Sequence, residues 1–285
     1  MKIMSKYNHI MTAVFALVMA AMCPPGASSQ TLRGDFNMDG DVNISDVIPL
    51  INYILNDRIG EVPPEGRDTI MVNDIPVVMV RVKAGTYTLK YGEVTTIESD
   101  FWIGQTEVTR ELWWEVMGGR PTNPVAAEKQ RNYAVNNVSW DQCQVFIDSL
   151  NRMTGMEFRL PYSEEWIYAA TGGTLTCGYD YSGSNDINEV AWYNGNSDEI
   201  EVNGSLVFNV ATKNPNELGL YDMSGNVAEW CQDLREHTDG YRTAALFGGD
   251  VESSADECRP TSYVYADATR RSGYSGLRLY LPATE

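Results

Sequence analysis

Histidine and basic side chains are scarce in this chain of 285 residues. It has two histidines, and its 39 acidic against 21 basic residues give a formal charge of −18. Nucleic-acid binding depends on clustered lysine and arginine, so this balance argues against a nucleic-acid partner. His9 lies in a predicted N-terminal signal segment, which leaves His237 as the other histidine. A zinc site built from several histidines is therefore excluded, and any histidine-based triad would have to use that one residue.

Long hydrophobic runs are missing beyond the N-terminus, so we expect no transmembrane span. Two lysines precede an apolar run over residues 10–22, which is too short to cross a bilayer and is followed by prolines and small residues. We predict a signal peptide over 1–29 and an exported protein, located in the periplasm, at the cell surface or in the medium. Cys23 directly follows the run and offers the alternative of a lipid anchor, although Met22 is bulky where a small residue is preferred.

Cysteines are few, and those outside the N-terminal segment are Cys143, Cys177, Cys231 and Cys258. In an oxidising compartment four cysteines allow three pairings. The sequence does not select one of them.

The segment 35–46, DFNMDGDVNISD, has the spacing of an EF-hand-like calcium loop. Hard Ca²⁺ takes six to eight oxygens, which short acidic and amide side chains supply around a tight turn at Gly40. An amphipathic helix follows, and the alternative interpretation is an acidic turn in front of that helix. The predicted ligands are Asp35, Asn37, Asp39, Asp41 through its carbonyl, Asn43 and Asp46.

This loop and helix, Gly34 to Leu55, resemble one repeat of a type I dockerin. Dockerins carry two such repeats, which together dock onto a cohesin. Here a single repeat over 30–57 is followed by a linker over 58–70, rich in proline, glycine and charge. The resemblance implies calcium binding, whereas the missing second repeat argues against a cohesin partner.

The rest of the chain, 71–285, reads as one α+β domain with strands first, then capped helices, then a long loop-rich part. The runs IPVVMVRV and GTYTLKYG predict strands. Thr109 predicts the cap of a helix that ends at Gly118, and Ser139 with Gln142 predicts a capping box for a helix that ends at Gly155. Ser163 predicts the start of a third. We expect these residues to face inward: Leu112, Trp113, Val116, Met117, Cys143, Phe146, Ile147, Leu150 and Met153.

Six motifs in this region resemble the formylglycine-generating-enzyme (sulfatase-modifying factor) family, in its order and spacing. The resemblance implies a loop-rich C-type-lectin-like fold. The motifs are FWIGQTEVTRELWWEVMG (101–118), NNVSWDQCQVFIDSLN (136–151), FRLPYSEEWIYAATGG (158–173), NEVAWYNGNS (188–197), PNELGLYDMSGNVAEWCQD (215–233) and ECR…GLRL (257–279).

The resemblance implies a calcium site in the stretch YDMSGNVAEW. Its ligands would be the Asp222 side chain, the carbonyls of Gly225 and Val227, and the Glu229 carboxylate. Two acids around a glycine turn form an all-oxygen set that suits Ca²⁺. The alternative is a loop held by hydrogen bonds of Asn226 and Asp222.

The resemblance also implies where an oxidase centre would lie. Family members hold Cu(I) between two thiolates and use O₂ to convert a sulfatase cysteine to formylglycine. Here Cys258 falls on the second thiolate position, but Ser253 occupies the first, Asp250 replaces a serine and Ala228 replaces a tryptophan. Copper is therefore not expected, and Cys258 is interpreted as structural, either free or paired, with Cys231 a candidate partner.

Three functions follow from these patterns. The favoured one is an exported, calcium-binding, non-catalytic domain that binds an unknown protein or glycan ligand through the C-terminal segment Thr261–Ser275, whose Tyr, Ser, Arg and Asp content suits recognition. The second is the copper-dependent formylglycine-generating oxidase, with Cys258 as its catalytic thiol. The third is an accessory component of glycan-degrading machinery, indicated by the dockerin-like repeat.

Overall fold

The computed structural model describes residues 66–88, 92, 94–119, 128, 130–197 and 207–283. The predicted signal peptide, the calcium loop with its helix and residues 58–65 of the predicted linker lie outside this range. The strands are β1 (Arg67–Val72), β2 (Ile75–Val82), β3 (Gly85–Thr88), β4 (Val94–Ile97), β5 (Phe101–Gly104), β6 (Ala228–Glu236), β7 (Arg242–Phe247), β8 (Tyr263–Asp267), β9 (Ser275–Gly276) and β10 (Tyr280–Pro282). The α-helices are α1 (Arg110–Met117), α2 (Trp140–Thr154), α3 (Ser163–Ala170) and α4 (Ile187–Val190).

Two four-stranded sheets and one hairpin organise the described chain. The first sheet has the order β1-β2-β5-β10 with all neighbours antiparallel. The second has the order β8-β7-β6-β9, in which the short β9 runs parallel to β6. Strands β3 and β4 form the hairpin. The first and last strands of the domain thus share one sheet, and a mixed α/β architecture is confirmed.

The helix ends follow the capping residues of the sequence. The Thr109 side chain accepts a hydrogen bond from the backbone N–H of Leu112, and α1 ends at Gly118 with φ of 71°. Ser139 and Gln142 form the predicted capping box of α2, which ends at Gly155 with φ of 69°. Glycine adopts these positive φ values more readily than other residues do, which explains why both helices stop there.

The inner strands of both sheets are buried on both faces. In β2, Val77 and Met79 pack in a cluster with α1 and α2, whereas Val80 and Val82 pack in a second cluster with α3. Strand β7 alternates in the same way: Ala244 and Leu246 join the first cluster, and Ala245 and Phe247 the second. The strands therefore form a central layer between helices.

Two expected core residues lie at the surface. Met117 is 37% and Met153 is 44% exposed, while Leu112, Cys143, Phe146, Ile147 and Leu150 are buried as predicted. Trp113 and Val116 are half-buried. Both methionines occupy the last turn of their helices. Apolar residues can follow the helical period into the last turn of a helix even where no neighbouring element packs against that turn. The period therefore overestimates burial at helix ends.

The second sheet is a larger difference from expectation. The region after Gly172 reads as loop-rich, yet it supplies β6 to β10. The pairing of β6 with β7 shifts register between Trp230 and Leu234, which breaks the alternation that identifies a strand. Strand β1 begins at Arg67, ahead of the predicted boundary at residue 71. Among the described residues, no helix combines the length and apolar character needed to cross a bilayer.

Candidate functional site

A tight turn before β6 holds Asp222 inside the protein. Asp222, Gly225 and Asn226 have left-handed backbone conformations, with φ of 59°, 77° and 61°. A side chain at Gly225 would overlap the carbonyl oxygen of Trp192. Residues other than glycine adopt this conformation rarely and at an energetic cost, so the surrounding structure must hold the turn in place.

Two buried carboxyl groups meet beside this turn. Asp222 and Glu107 are 3% and 1% exposed, and they are close enough for each to influence the pKa of the other. Asp222 Oδ2 accepts from the Ala211 N–H at 2.7 Å, and Glu107 Oε1 accepts from Asn226 Nδ2 at 2.9 Å. The remaining oxygens, Asp222 Oδ1 and Glu107 Oε2, have no donor within the described part of the chain. Because buried polar atoms seldom lack a partner, the pair points to a shared proton or a bound cation.

Burial changes the acidity of both groups. The pKa of Asp222 rises to about 6, chiefly because its charged form loses hydration. The pKa of Glu107 rises well above its ordinary value, first through burial and then through the Asp222 carboxylate. The Arg278 guanidinium opposes both changes. A proton or a divalent cation between the two groups would relieve their repulsion.

The third buried acid, Glu229, is paired with an arginine. Its two oxygens accept hydrogen bonds from Arg278 Nε and Nη2 at 2.7 to 3.1 Å, and Oε2 also accepts from Trp166 Nε1 at 2.6 Å. Arg278 further donates to the carbonyls of Gly104 and Tyr221, each at 2.8 Å. Arg278 thus connects the first sheet, β6 and the turn in one buried network.

The predicted calcium ligands of this region occupy the turn and the strand after it. Of the two predicted carboxylate ligands, Asp222 lies beside Glu107. Glu229 is hydrogen-bonded to Arg278. Sequence reasoning misses Glu107, because its motif suggests no role until the fold places it beside Asp222. No three His, Cys, Asp or Glu side chains of the described residues form a metal-binding set. A calcium ion at the two unpartnered oxygens would therefore need backbone carbonyls as well, and this all-oxygen donor set fits Ca²⁺. The predicted ligands from Asp35 to Asp46 lie outside the described residues.

The two positions of the oxidase centre hold a serine and a buried thiol. Ser253 Oγ donates to Asp250 Oδ1 at 3.2 Å and accepts from the Asp250 N–H at 3.0 Å. Cys258 is fully buried, and a Cβ atom added to Gly249 would lie 2.9 Å from its sulfur. Burial, with a contribution from Asp250, raises the pKa of the Cys258 thiol to about 12. The thiol is therefore protonated at neutral pH.

This arrangement does not fit Cu(I). A two-sulfur site needs two thiolates, and here one of the two positions holds a hydroxyl that is hydrogen-bonded to Asp250. Cys258 packs among Tyr181, Ile187 and Val190. Cys258 and Cys231 are both free thiols in different clusters, so they are not the disulfide that the sequence offered as one alternative.

The predicted binding segment Thr261–Ser275 contains β8, an edge strand of the second sheet. Tyr263, Val264 and Tyr265 are 53%, 56% and 36% exposed. The two tyrosine rings meet edge to face with centroids 5.4 Å apart, and the Arg235 guanidinium lies 3.8 Å from the Tyr265 centroid. Exposed aromatic rings that are held in place are typical of recognition surfaces.

Fold and site together define a mixed α/β, sheet-rich domain built around a buried acidic turn. The chain belongs to the family described as "Sulfatase-modifying factor enzyme 1-like domain", which matches residues 69–282.

Three curated relatives and one solved structure illustrate the range of this family. Chaperone protein LppX of Paenibacillus barcinonensis is 32% identical over 206 residues, covering 56% of this chain and 72% of that protein. The inactive C-alpha-formylglycine-generating enzyme 2 of Bos taurus is 29% identical and matches 42% of this chain and 40% of that protein. The formylglycine-generating enzyme of Thermomonospora curvata is 29% identical and matches 42% of each. The structure of Treponema denticola variable protein 1 is 29% identical, covers 76% of this chain and 99% of its own, and has a TM-score of 0.65.

Proposed function

We propose that this protein is an exported, non-catalytic member of the family that binds a ligand or partner through Thr261–Ser275. The observation that carries the proposal is the pair Ser253 and Cys258. A hydroxyl held by Asp250 and a thiol enclosed against Gly249 do not supply the two thiolates of a copper oxidase. The family fold, lectin-like by resemblance, then serves as a scaffold.

The surface of β8 supports a binding role. Its exposed tyrosines offer large, rigid contact areas at low conformational cost, and the serines, arginines and aspartates around them offer hydrogen bonds. The names of two relatives are consistent with this: one is called a chaperone and the other an inactive enzyme. One relative of this chain is thus named for a role other than formylglycine generation, and another is named as inactive.

Calcium is the second part of the proposal. The ion would be held by Asp222, the carbonyls of Gly225 and Val227, and Glu107. Glu229, which the sequence offers as a ligand, is instead occupied by Arg278 and Trp166. The chemical contribution of the ion would be charge neutralisation, because the buried carboxyl groups outnumber the single guanidinium of Arg278. The loop from Asp35 to Asp46 would hold another calcium ion ahead of the domain.

Two alternatives remain open. The enzyme of Thermomonospora curvata favours the oxidase, with Cys258 as the catalytic thiol. The dockerin-like repeat favours an accessory role in glycan-degrading machinery.

The decisive experiment measures formylglycine formation on a sulfatase-type cysteine peptide with Cu(I) and O₂, followed by mass spectrometry. We expect no conversion by the wild type, while the Thermomonospora curvata enzyme serves as the positive control. A matched variant, Asp250→Ser/Ser253→Cys, restores two of the three family residues and leaves Ala228 unchanged, so it shows whether the second thiol is what the site lacks. Conversion by the wild type that disappears in Cys258→Ala would establish the oxidase instead.

A further inference from the structure

A polar cleft of about 300 Å³ lies between α1, the segment before α2 and the C-terminal binding segment. It is separate from the acidic turn and from Cys258, because none of those residues lines it. Its volume is at the lower end of the range for small-molecule sites, about 300 to 1,000 Å³. The residues that carry its chemistry are Arg110, Trp113, Trp114, Gln130, Gln142 and Arg271.

The walls of the cleft are fixed by hydrogen bonds. Arg110 donates to Gln130 Oε1 at 2.9 Å and to Asn136 Oδ1 at 3.0 Å. Asn136 Nδ2 donates to the Gly273 carbonyl at 2.6 Å, and Arg271 Nε donates to the Asn137 carbonyl at 2.8 Å. These bonds join α1 and the segment before α2 to the C-terminal segment. A ligand would therefore meet a preorganised surface and lose little energy in ordering it.

Hydrogen-bond donors dominate the lining. Two guanidinium groups face a cleft with no aspartate or glutamate among its described lining residues, in a chain where acids outnumber bases by 39 to 21. Gln130 and Gln142 use their oxygens to accept from Arg110 and from the Ser139 N–H, and each also carries an NH₂ group. Burial lowers the pKa of Arg110 from its ordinary value, which shows that its charged form has lost hydration. The complement of such a surface is a ligand rich in acceptor oxygens with negative charge.

Aromatic rings form the other part of the cleft. Trp113 stacks on Phe146 with centroids 4.9 Å apart and planes 9° apart, which fixes its indole. Trp113 and Trp114 are both half-buried. Indole faces attract C–H groups and exclude water, while the guanidiniums and amides around them suit hydroxyl, carboxylate or sulfate oxygens.

We propose that this cleft binds an acidic saccharide, meaning a hydroxylated ring that bears a carboxylate or a sulfate. The inference rests on the proposed binding function, because Arg271 belongs to the segment Thr261–Ser275. An acidic peptide would also complement the positive charge of Arg110 and Arg271. The small volume and the two indoles favour a compact ring over an extended chain.

Ligand-observed saturation-transfer NMR on the full exported chain tests this, with glucuronic acid and glucose 6-sulfate as probes, glucose as the uncharged control and an Asp-Glu hexapeptide as the competing class. We expect transfer to one or both anionic sugars and none to glucose. The two anionic probes distinguish carboxylate from sulfate recognition. Arg271→Gln should weaken binding at least about tenfold, because one charge-assisted hydrogen bond is lost.

Trp114→Ala should also weaken binding, whereas Arg152→Gln, at an exposed arginine on α2 outside the cleft, should leave it unchanged. Circular dichroism melts confirm that each variant is folded. The proposal is overturned if neither anionic sugar binds, if Arg152→Gln and Arg271→Gln weaken binding equally, or if the peptide binds and the sugars do not. The saccharide proposal and the proposed non-catalytic function fail in different experiments. A negative binding result overturns only the saccharide site, whereas formylglycine formation in the peptide assay overturns the non-catalytic function.

Discussion

Arg278 is a fully buried cation surrounded by three carboxyl groups. It bonds Glu229 directly, and it lowers the pKa values of Glu107 and Asp222 against the stronger effect of burial. A buried ion pair of this kind is not in itself strong evidence of stabilisation, since desolvation offsets the attraction. Removing one partner is different, because the charges that remain are left without compensation.

We therefore expect Arg278→Leu to lower the free energy of unfolding by roughly 3–5 kcal/mol. The matched control is Arg81→Leu, whose ion pair with Asp100 at 2.9 Å is much more exposed. Such pairs contribute about 0–1 kcal/mol. Urea denaturation of both variants provides the measurement. Equal losses would show that Arg278 does not compensate the buried acids.

For single residues, the sequence predicts the place of a side chain on a local turn better than it predicts the distant residues that the side chain contacts. It correctly places Asp222 and Glu229 around one turn, because a glycine between two acids is a local pattern. The contact of Asp222 with Glu107 joins residues 115 positions apart, which no spacing rule reveals. The same holds for Arg278, which is 49 positions from Glu229.

Among the elements, those with local signals are predicted best. Helices α1 and α2 begin and end where Thr109, Gly118, Ser139 and Gly155 predict, since caps depend on a few neighbouring residues. Strands β6 to β10 are missed. In β6 a register shift, and in β7 burial on both faces, removes the alternation of polar and apolar residues. Their pairing depends on distant parts of the chain.

The N-terminal calcium loop is an element that can be tested on its own. A peptide of residues 30–60 should bind Ca²⁺ with a dissociation constant of about 10⁻⁷ to 10⁻³ M. Calorimetry measures the binding heat, and Asp35→Ala/Asp39→Ala should abolish it by removing two carboxylate ligands. Asp57→Ala, outside the loop, should bind as the wild type does. An unchanged heat in the double variant would place the cation elsewhere, and tight cohesin binding by the same peptide would contradict the single-repeat interpretation.

For the whole domain, we expect calcium to increase stability. Binding to the folded state alone adds about 2.7 kcal/mol when free calcium is one hundred times Kd. A shortened chain starting at Gly66 excludes the N-terminal loop, and its melting temperature should rise with Ca²⁺ and fall with chelator. Mg²⁺ should substitute poorly because it requires a compact octahedron.

Two double variants distinguish calcium binding at the buried carboxyl groups from a general effect of the acidic surface charge. Glu107→Gln/Asp222→Asn should make melting insensitive to calcium. Asp148→Asn/Glu157→Gln, which removes the same charge from the exposed surface, should keep the response. A wild type that melts at one temperature in calcium and in chelator would identify the turn as a hydrogen-bonded loop without metal.

Stability without calcium should depend on pH in a defined direction. The folded pKa of Asp222, about 6, exceeds the unfolded value near 3.9. Between these values the folded state binds more protons, so this group makes the domain less stable as pH rises from about 4 to 6. Urea denaturation in chelator should show this loss relative to Glu107→Gln/Asp222→Asn, which lacks both titrating groups. Calcium should reverse the trend, because protons compete with the metal, and parallel pH profiles of the two proteins would contradict the prediction.

The sheet order β1-β2-β5-β10 has a consequence for protein engineering. Arg67 stands in the same row of the sheet as Tyr280, through Val80 and Ile103, and β1 begins at the end where β10 finishes. Three strand spacings separate them, about 14 Å. A bridge of roughly five residues could therefore join the two ends. The domain should tolerate circular permutation, or transplantation as a module into a surface loop of a host protein, while Thr261–Ser275 continues to face the solvent.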